Sequence, residues 1–251
     1  MGDLLRDHTV VVTGAGQGNG AALAEGLAQL GAHVLATDIR ADAAQQTAQR
    51  IVAAGGSAEA HALDVTDAAA CNALAAATKL RPGHKLVLVN NAGIRPRHTF
   101  DGADRDQAWR DAMSVNVDGV RHMMLAFKPL LQASGGNVVN ISSISASRAS
   151  PFGISYSTSK AAAEMLTKVM ALELAAVGIR VNAVAPGIME TPMTEASRTD
   201  PTRRDYLFSR IPMKRFGLPA ELVGPVAFLA SPMASYVTGT VVNVDGGYLA
   251  V

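Results

Sequence analysis

A chain of 251 residues that is 49% hydrophobic and only 17% charged can fill a sizeable core, which excludes a disordered chain. A net charge of +1 offers no field for nucleic acid or an anionic membrane, and no stretch reaches the roughly 20 apolar residues that span a bilayer. Cys71 is the only cysteine, so one chain holds neither a disulfide framework nor a thiolate metal site, which suits a reducing cytoplasm.

The first residues lead almost directly into a strand without a signal-peptide layout, so a cytoplasmic location is expected. Gly2 invites acylation, but Arg6 stands where Ser or Thr is required. Short apolar runs then predict strands over 8–13, 33–38, 58–63, 85–89, 137–141, 179–185 and 240–244. Amphipathic stretches between them predict helices over about 20–30, 42–54, 67–78, 104–132, 156–177 and 219–229. Asp42 and Asp67 suit helix starts, and Gly31, Gly55 and Gly178 suit helix ends. Alternating strands and helices, with strands that are apolar throughout, imply a parallel sheet covered on both faces. No linker, repeat or low-complexity tract interrupts it, so residues 1–251 are expected to form one α/β domain.

The first strand ends in Thr13-Gly14-Ala15-Gly16-Gln17-Gly18-Asn19-Gly20. A glycine-rich turn between strand and helix lets backbone N–H groups approach a pyrophosphate lying on the helix N-terminus. The second strand ends in Asp38, whose carboxylate accepts hydrogen bonds from an adenosine ribose and repels a 2′-phosphate. Gln17 and Asn19 add no cation, and Arg40 is the one basic side chain nearby, so NAD is favoured over NADP.

Further along, Tyr156 and Lys160 stand four residues apart on a predicted helix, one turn above the other. Four tyrosines and six lysines in 251 residues give this spacing by chance in roughly one chain in ten, so it gains weight only from its surroundings. A phenol beside an ammonium is a proton-transfer device, because the positive charge favours phenolate. Ser142 and Ser143 end the preceding strand and can offer a hydroxyl to the same point.

Taken together, these motifs resemble the short-chain dehydrogenase/reductase family over essentially the whole chain. Residues 13–20 resemble its TGxxxGxG loop, Asp64-Val65 its adenine contact, and Asn90-Asn91-Ala92-Gly93 its NNAG motif. Asn116 in SVNVDG resembles its helix asparagine; Ser143, thirteen residues before Tyr156, and the YxxxK of Tyr156 and Lys160 complete the resemblance at the active site. Pro186-Gly187 with Thr191 resembles its PGxxxT segment, and VNVDGG from Val242 its tail. Asn19 departs from the usual Ile, and the link between Thr78 and Lys85 is short.

The resemblance implies a single Rossmann-type, doubly wound sheet of seven parallel strands in the order 3-2-1-4-5-6-7. It implies reversible NAD-dependent oxidation of a secondary alcohol, with Tyr156 as general acid/base and Ser143 holding the substrate oxygen. Lys160 would hold the nicotinamide ribose and lower the Tyr156 pKa, and Asn116 would hold a relay water. Cofactor contacts would come from Gly14, Gln17, Gly18, Asn19, Gly20, Asp38, Ile39, Asp64, Val65, Asn91, Ala92, Gly93, Tyr156, Lys160, Pro186, Gly187, Met189 and Thr191. The substrate would meet Arg95, Ser143, Ser145, Arg148 and Tyr156 beneath a lid over about 188–215. Arg95, Arg97, His98 and Arg148 are unusually cationic for a simple ketone pocket, which points to a sugar acid, hydroxy acid or polyol.

Two other readings are a 3-oxoacyl-carrier-protein reductase, against which Asp38 argues, and a non-catalytic dinucleotide-sensing regulator, which need not keep the full catalytic set. The six histidines lack metal-ligand spacing, and no metal is expected. Met123, Met124, Met165 and Met170 fall at helical core positions, Trp109 at a packing or subunit contact, and Arg203-Arg204 on a solvated face. By resemblance, the helices over 104–132 and 156–177 pair between subunits of a homotetramer, a dimer being the alternative.

Overall fold

The computed structural model describes residues 3–251, so Gly2 and the acylation reading attached to it lie outside the described residues. Seven strands, β1 (His8–Thr13), β2 (His33–Asp38), β3 (Ser57–Ala62), β4 (Lys85–Asn90), β5 (Asn137–Ile141), β6 (Arg180–Pro186) and β7 (Val241–Val244), form one sheet. Their order is β3-β2-β1-β4-β5-β6-β7, and every pairing is parallel. The chain runs outward from β1 to β3, then crosses back to β4 on the other side of β1. That reversal opens a crevice at the C-terminal ends of β1 and β4, where doubly wound sheets bind ligands.

Helices cover both faces: α1 (Gly18–Gln29), α2 (Ala41–Ala53), α3 (Ala68–Ala77), α4 (Arg105–Met113), α5 (Gly119–Ser134) and α6 (Ile154–Leu174). The later helices are α7 (Glu195–Thr199), α8 (Pro201–Arg210) and α9 (Val223–Ala230). Successive strand residues point to opposite faces. Thus Val10, Val12, Val87 and Val89 pack with Leu23, Leu27 and Leu229 in one core. Val11, Leu86 and Leu88 pack with Met123, Phe127 and Leu131 in the other. Both faces of the sheet are buried, which is why these strands read as continuous apolar runs rather than alternating ones.

The local signals act where the sequence put them. Asp67 caps α3 by accepting from Ala69 and Ala70 backbone N–H groups at 2.8 and 3.0 Å. Gly55 and Gly178 take the left-handed conformation just past helices, with φ of 83° and 76°. Among the described residues, no helix is long and apolar enough to cross a membrane.

Two expectations need correction. The helix over 104–132 is not continuous: a π-helical turn, Ser114–Asp118, separates α4 from α5. A π turn of five residues is too short for a window of about 11–18 residues to separate from the helices beside it. Met165 is 58% exposed on α6 and is not a core residue. The segment over 188–215 contains α7 and α8, and Leu207, Ile211 and Phe216 pack there with Ile188, Phe208 and Tyr248.

Candidate active site

The end of β1 and the end of β4 are stitched together before any helix begins. Thr13 Oγ1 accepts from the backbone N–H groups of Asn91 and Ala92, both at 3.0 Å. In return, Asn91 Nδ2 donates to the carbonyls of Thr13 and Gly14 at 2.9 and 3.1 Å. Gly14 has a φ of 64°, and a Cβ there would lie 2.9 Å from the Ala92 backbone. The turn therefore needs glycine for both conformation and space. α1 begins at Gly18 with no side chain capping it, so its first N–H groups are free to meet an anion.

Asp38 closes the far end of this crevice. It is buried, its Oδ2 accepts from the Gly16 N–H at 2.9 Å, and its Oδ1 accepts from the Arg40 N–H at 3.0 Å. The Arg40 guanidinium lies 3.9 Å from the same carboxylate and is half exposed. Asp64 is turned onto its own loop, accepting from the Thr66 N–H and hydroxyl at 2.9 and 2.7 Å.

On the opposite wall, α6 carries Tyr156 and Lys160 one turn apart, both buried. Lys160 Nζ donates to the Ile141 carbonyl at 2.8 Å. Burial pulls its pKa down to about 8, with the Glu164 carboxylate acting against the shift. Burial pushes the Tyr156 phenol up, while the Ser143 hydroxyl facing it and the charge of Arg95 act the other way. Ser143 also accepts from the Ser145 N–H at 3.1 Å. Ser142 spends its hydroxyl on Glu164, at 2.8 Å.

The π turn carries Asn116, which is buried just behind the cavity wall. Its Oδ1 accepts from the Ile94 N–H, and its Nδ2 donates to the Ile94 carbonyl and to Ser159 Oγ, all at 2.9 Å. Both donors are thus spent, and one acceptor position of Oδ1 remains. Gly93 permits the crowding: a Cβ there would stand 3.1 Å from Asn116 Oδ1 and 3.3 Å from Lys160 Nζ.

These walls enclose a cavity of about 320 Å³. Gly14, Gln17, Gly18, Asn19, Gly20, Asp38, Ile39, Asp64, Val65, Asn91, Ala92, Gly93, Thr191, Tyr156 and Lys160 all line it. Arg40, Leu63, Ile94, Val115, Ile141, Ser142, Pro192 and Met193 line it too, and most sit directly beside a motif residue.

Pro186, Gly187 and Met189 are not on the cavity wall. Pro186 ends β6, Gly187 packs on the Asp245 backbone, and Met189 is buried in the core against Gly217. Ser159, which anchors Asn116, was also missed; its mark in the sequence is its place one turn beyond Tyr156 and beside Lys160.

A family model described as enoyl-(acyl carrier protein) reductase matches residues 14–249, nearly the whole chain. The chain belongs to the short-chain dehydrogenase/reductase family. It is thereby an oxidoreductase. A galactitol 2-dehydrogenase (L-tagatose-forming) of Cereibacter sphaeroides is 42% identical over 242 residues, 94% of this chain and 93% of that one. A 3-oxoacyl-[acyl-carrier-protein] reductase of Thermotoga maritima is 37% identical over 244 residues, 97% of this chain and 98% of that one. Among solved structures, a gluconate 5-dehydrogenase from Burkholderia cenocepacia J2315 in complex with NADP and tartrate matches with a TM-score of 0.93 at 35% identity. That match covers 99% of this chain and 98% of that one.

The cationic residues of this short-chain dehydrogenase/reductase do not converge on one point. The Arg95 guanidinium lies over the Tyr156 ring, 5.6 Å from its centre. Arg97 lies over Phe152 at 5.7 Å, on the outer side of the same segment. His98 is buried and turned away: Nδ1 donates to the Thr99 carbonyl at 2.9 Å, and Nε2 is hydrogen-bonded to Ser155 Oγ at 3.0 Å. Arg148 donates to the Val251 carbonyl at 3.1 Å and lies over the Tyr248 ring at 5.6 Å. Ser145 is partly buried and off the cavity wall.

Proposed function

We propose that the protein catalyses reversible NAD-dependent oxidation of a secondary alcohol on a sugar acid, hydroxy acid or polyol. Tyr156 serves as its general acid/base. The observation that carries this reading is one cavity lined at once by the glycine loop, Asp38, Tyr156 and Lys160.

The residues present suit a nicotinamide dinucleotide. The uncapped start of α1 and the glycine turn form a cradle for a pyrophosphate, and Asp38 is placed to accept from ribose hydroxyls. Asn19 Oδ1 is buried on the cavity wall with no partner among the described residues, a polar atom that a bound cofactor can satisfy. Such a cofactor, when bound, supplies the hydride acceptor or donor. The relative from Burkholderia cenocepacia binds NADP; here the buried Asp38 carboxylate favours NAD by opposing a 2′-phosphate.

In the oxidation direction, the Tyr156 phenolate takes the proton from the alcohol oxygen while Ser143 holds that oxygen in place. In reduction, the phenol gives the proton to the carbonyl oxygen. Lys160 holds ribose hydroxyls and returns the proton to solvent through a water on the remaining acceptor position of Asn116 Oδ1. Arg95, Ser143, Ser145, Arg148 and Tyr156 are the proposed substrate contacts, and the segment over 188–215 covers them. Similarity to a galactitol dehydrogenase and to a gluconate dehydrogenase solved with tartrate supports a polyhydroxylated substrate. Exposed Leu125, Met165, Val169 and Leu172 on α5 and α6 support assembly as a homotetramer, with a dimer as the alternative. A cytoplasmic setting suits the single buried Cys71.

A panel of sugar acids, polyols and acyl thioesters, offered with NAD and NADP separately, tests the reading. Turnover of a polyhydroxylated alcohol with NAD, abolished in Tyr156→Phe, is the expected result. Preference for NADPH with acyl thioesters indicates the carrier-protein reductase instead, and nucleotide binding without turnover indicates a sensor. An unchanged KM for an anionic substrate in both Arg95→Ala and Arg148→Ala removes the carboxylate-binding role of these arginines.

A further inference from the structure

Two cations stand beside the Tyr156 ring, one of them outside its own motif. Lys160 Nζ is 6.0 Å from the centre of the phenol ring and donates to the Ile141 carbonyl. The Arg95 guanidinium lies nearer, at 5.6 Å over the same ring. Its Nε is buried without a hydrogen-bond partner. Its charged or titratable neighbours are Tyr156, Arg97 and Arg203, with no acid among them. A partly buried guanidinium with no counter-ion is costly unless an anion forms beside it.

We propose that Arg95 is a second counter-charge of the Tyr156 phenolate, beside Lys160, acting through the phenol rather than on the reacting carbon. This rests on the reading of Tyr156 as general base and deepens it. A cation over an aromatic face is attracted to the electron density of the ring, and a phenolate ring is richer in electrons than a phenol ring. Burial alone pushes Tyr156 toward the neutral phenol, and Arg95 and Ser143 oppose it. The groups facing Tyr156 are Ser143 from the loop after β5, Arg95 from the segment after β4 and Lys160 from α6. Arg97 and Arg203 stand behind Arg95, and Glu164 stands behind Lys160. Arg95 and Lys160 are the two cations that stand beside the phenol ring, at 5.6 and 6.0 Å from its centre. In the oxidation it supports, the alcohol O–H proton passes to the phenolate, the C–H hydride passes to NAD, and the ketone remains. No other reactant is needed.

The test uses a neutral polyol, for which an arginine that only grips carboxylates is silent. Arg95→Met should lower kcat/KM for oxidation by about tenfold on the acid limb of the pH profile, with the loss closing at alkaline pH. Arg95→Lys, which keeps a charge, should fall between the two. Ultraviolet difference titration of tyrosinate in the cofactor-free protein gives an independent readout. The component lost in Tyr156→Phe should move to higher pH in Arg95→Met. A profile and a titration that coincide with wild type overturn the proposal, as does a loss that is uniform across pH. If Tyr156→Phe retains turnover, the general-base reading fails, yet the titration still reports whether Arg95 steadies the phenolate.

Discussion

Lys160, buried on α6, donates its proton to the carbonyl of Ile141 at the end of β5 over 2.8 Å. Its pKa falls from the ordinary 10.5 to about 8 because burial disfavours the charged form. Between these two values the unfolded chain binds the proton and the folded one does not, so stability rises with pH across that window. Below the window both states are charged, and the buried ammonium costs the fold on the order of 3 kcal/mol. Lys160→Met removes that cost and also removes the Ile141 hydrogen bond, worth about 1 kcal/mol. We expect the variant to be inactive yet more resistant to urea than wild type at neutral pH. Its advantage should shrink as pH rises from about 8 toward 10. Urea midpoints across that range measure it, and a deficit that does not vary with pH contradicts it.

Asp38 faces the crevice with both oxygens already fixed by the Gly16 and Arg40 N–H groups. Asp38→Asn keeps the shape and removes the charge. The Arg40 guanidinium, 3.9 Å away, is then free to meet a 2′-phosphate. The ratio of kcat/KM for NAD over NADP should fall about a hundredfold, mostly through KM. An unchanged ratio would mean that Asp38 does not select the cofactor.

Asn116 holds Ile94 at both its N–H and its carbonyl and also holds Ser159. Asn116→Ala leaves these buried groups without partners, at about 1–3 kcal/mol for each unsatisfied group before relaxation. We expect a loss of about 3 kcal/mol in denaturant unfolding, with kcat falling more than KM rises. A variant of normal stability and normal kcat would exclude a role for Asn116 in shaping the wall.

The sheet was legible because its strands are buried on both faces and separated by glycine and aspartate punctuation. Val10, Val11 and Val12 read as one apolar run for that physical reason. Tyr156 and Lys160 were legible through their spacing once Gly14, Asp38 and Asn91 gave it a setting, and the fold brings those residues to one crevice. What stayed hidden depends on single residues and distant contacts. The π turn at Asn116 spans only five residues between α4 and α5, too few to register in a hydrophobic period. Arg148 is drawn toward Tyr248 and Val251, about a hundred positions later in the chain, and no local pattern encodes such a meeting. Met165 has the hydropathy of a core residue, but its outward direction is set by how α6 lies on the sheet.

Gly20 and Gly55 separate two reasons for needing glycine. Gly55 has a φ of 83°, and a Cβ there would meet nothing within 4 Å. Gly55→Ala should therefore cost only backbone strain, about 1 kcal/mol, and leave NAD affinity unchanged. Gly20 lies in α1, where alanine would ordinarily gain about 1 kcal/mol. Its Cβ, however, would stand 2.0 Å from the Gly14 carbonyl oxygen and 2.4 Å from Asn91 Nδ2. The carbonyl cannot yield without moving the turn that Asn91 ties to β4. Gly20→Ala should lose about 1–3 kcal/mol of stability and weaken NAD binding at least about tenfold, read by thermal melting and calorimetric titration. If Gly20→Ala binds NAD as tightly as Gly55→Ala, the glycine turn is not the cofactor cradle.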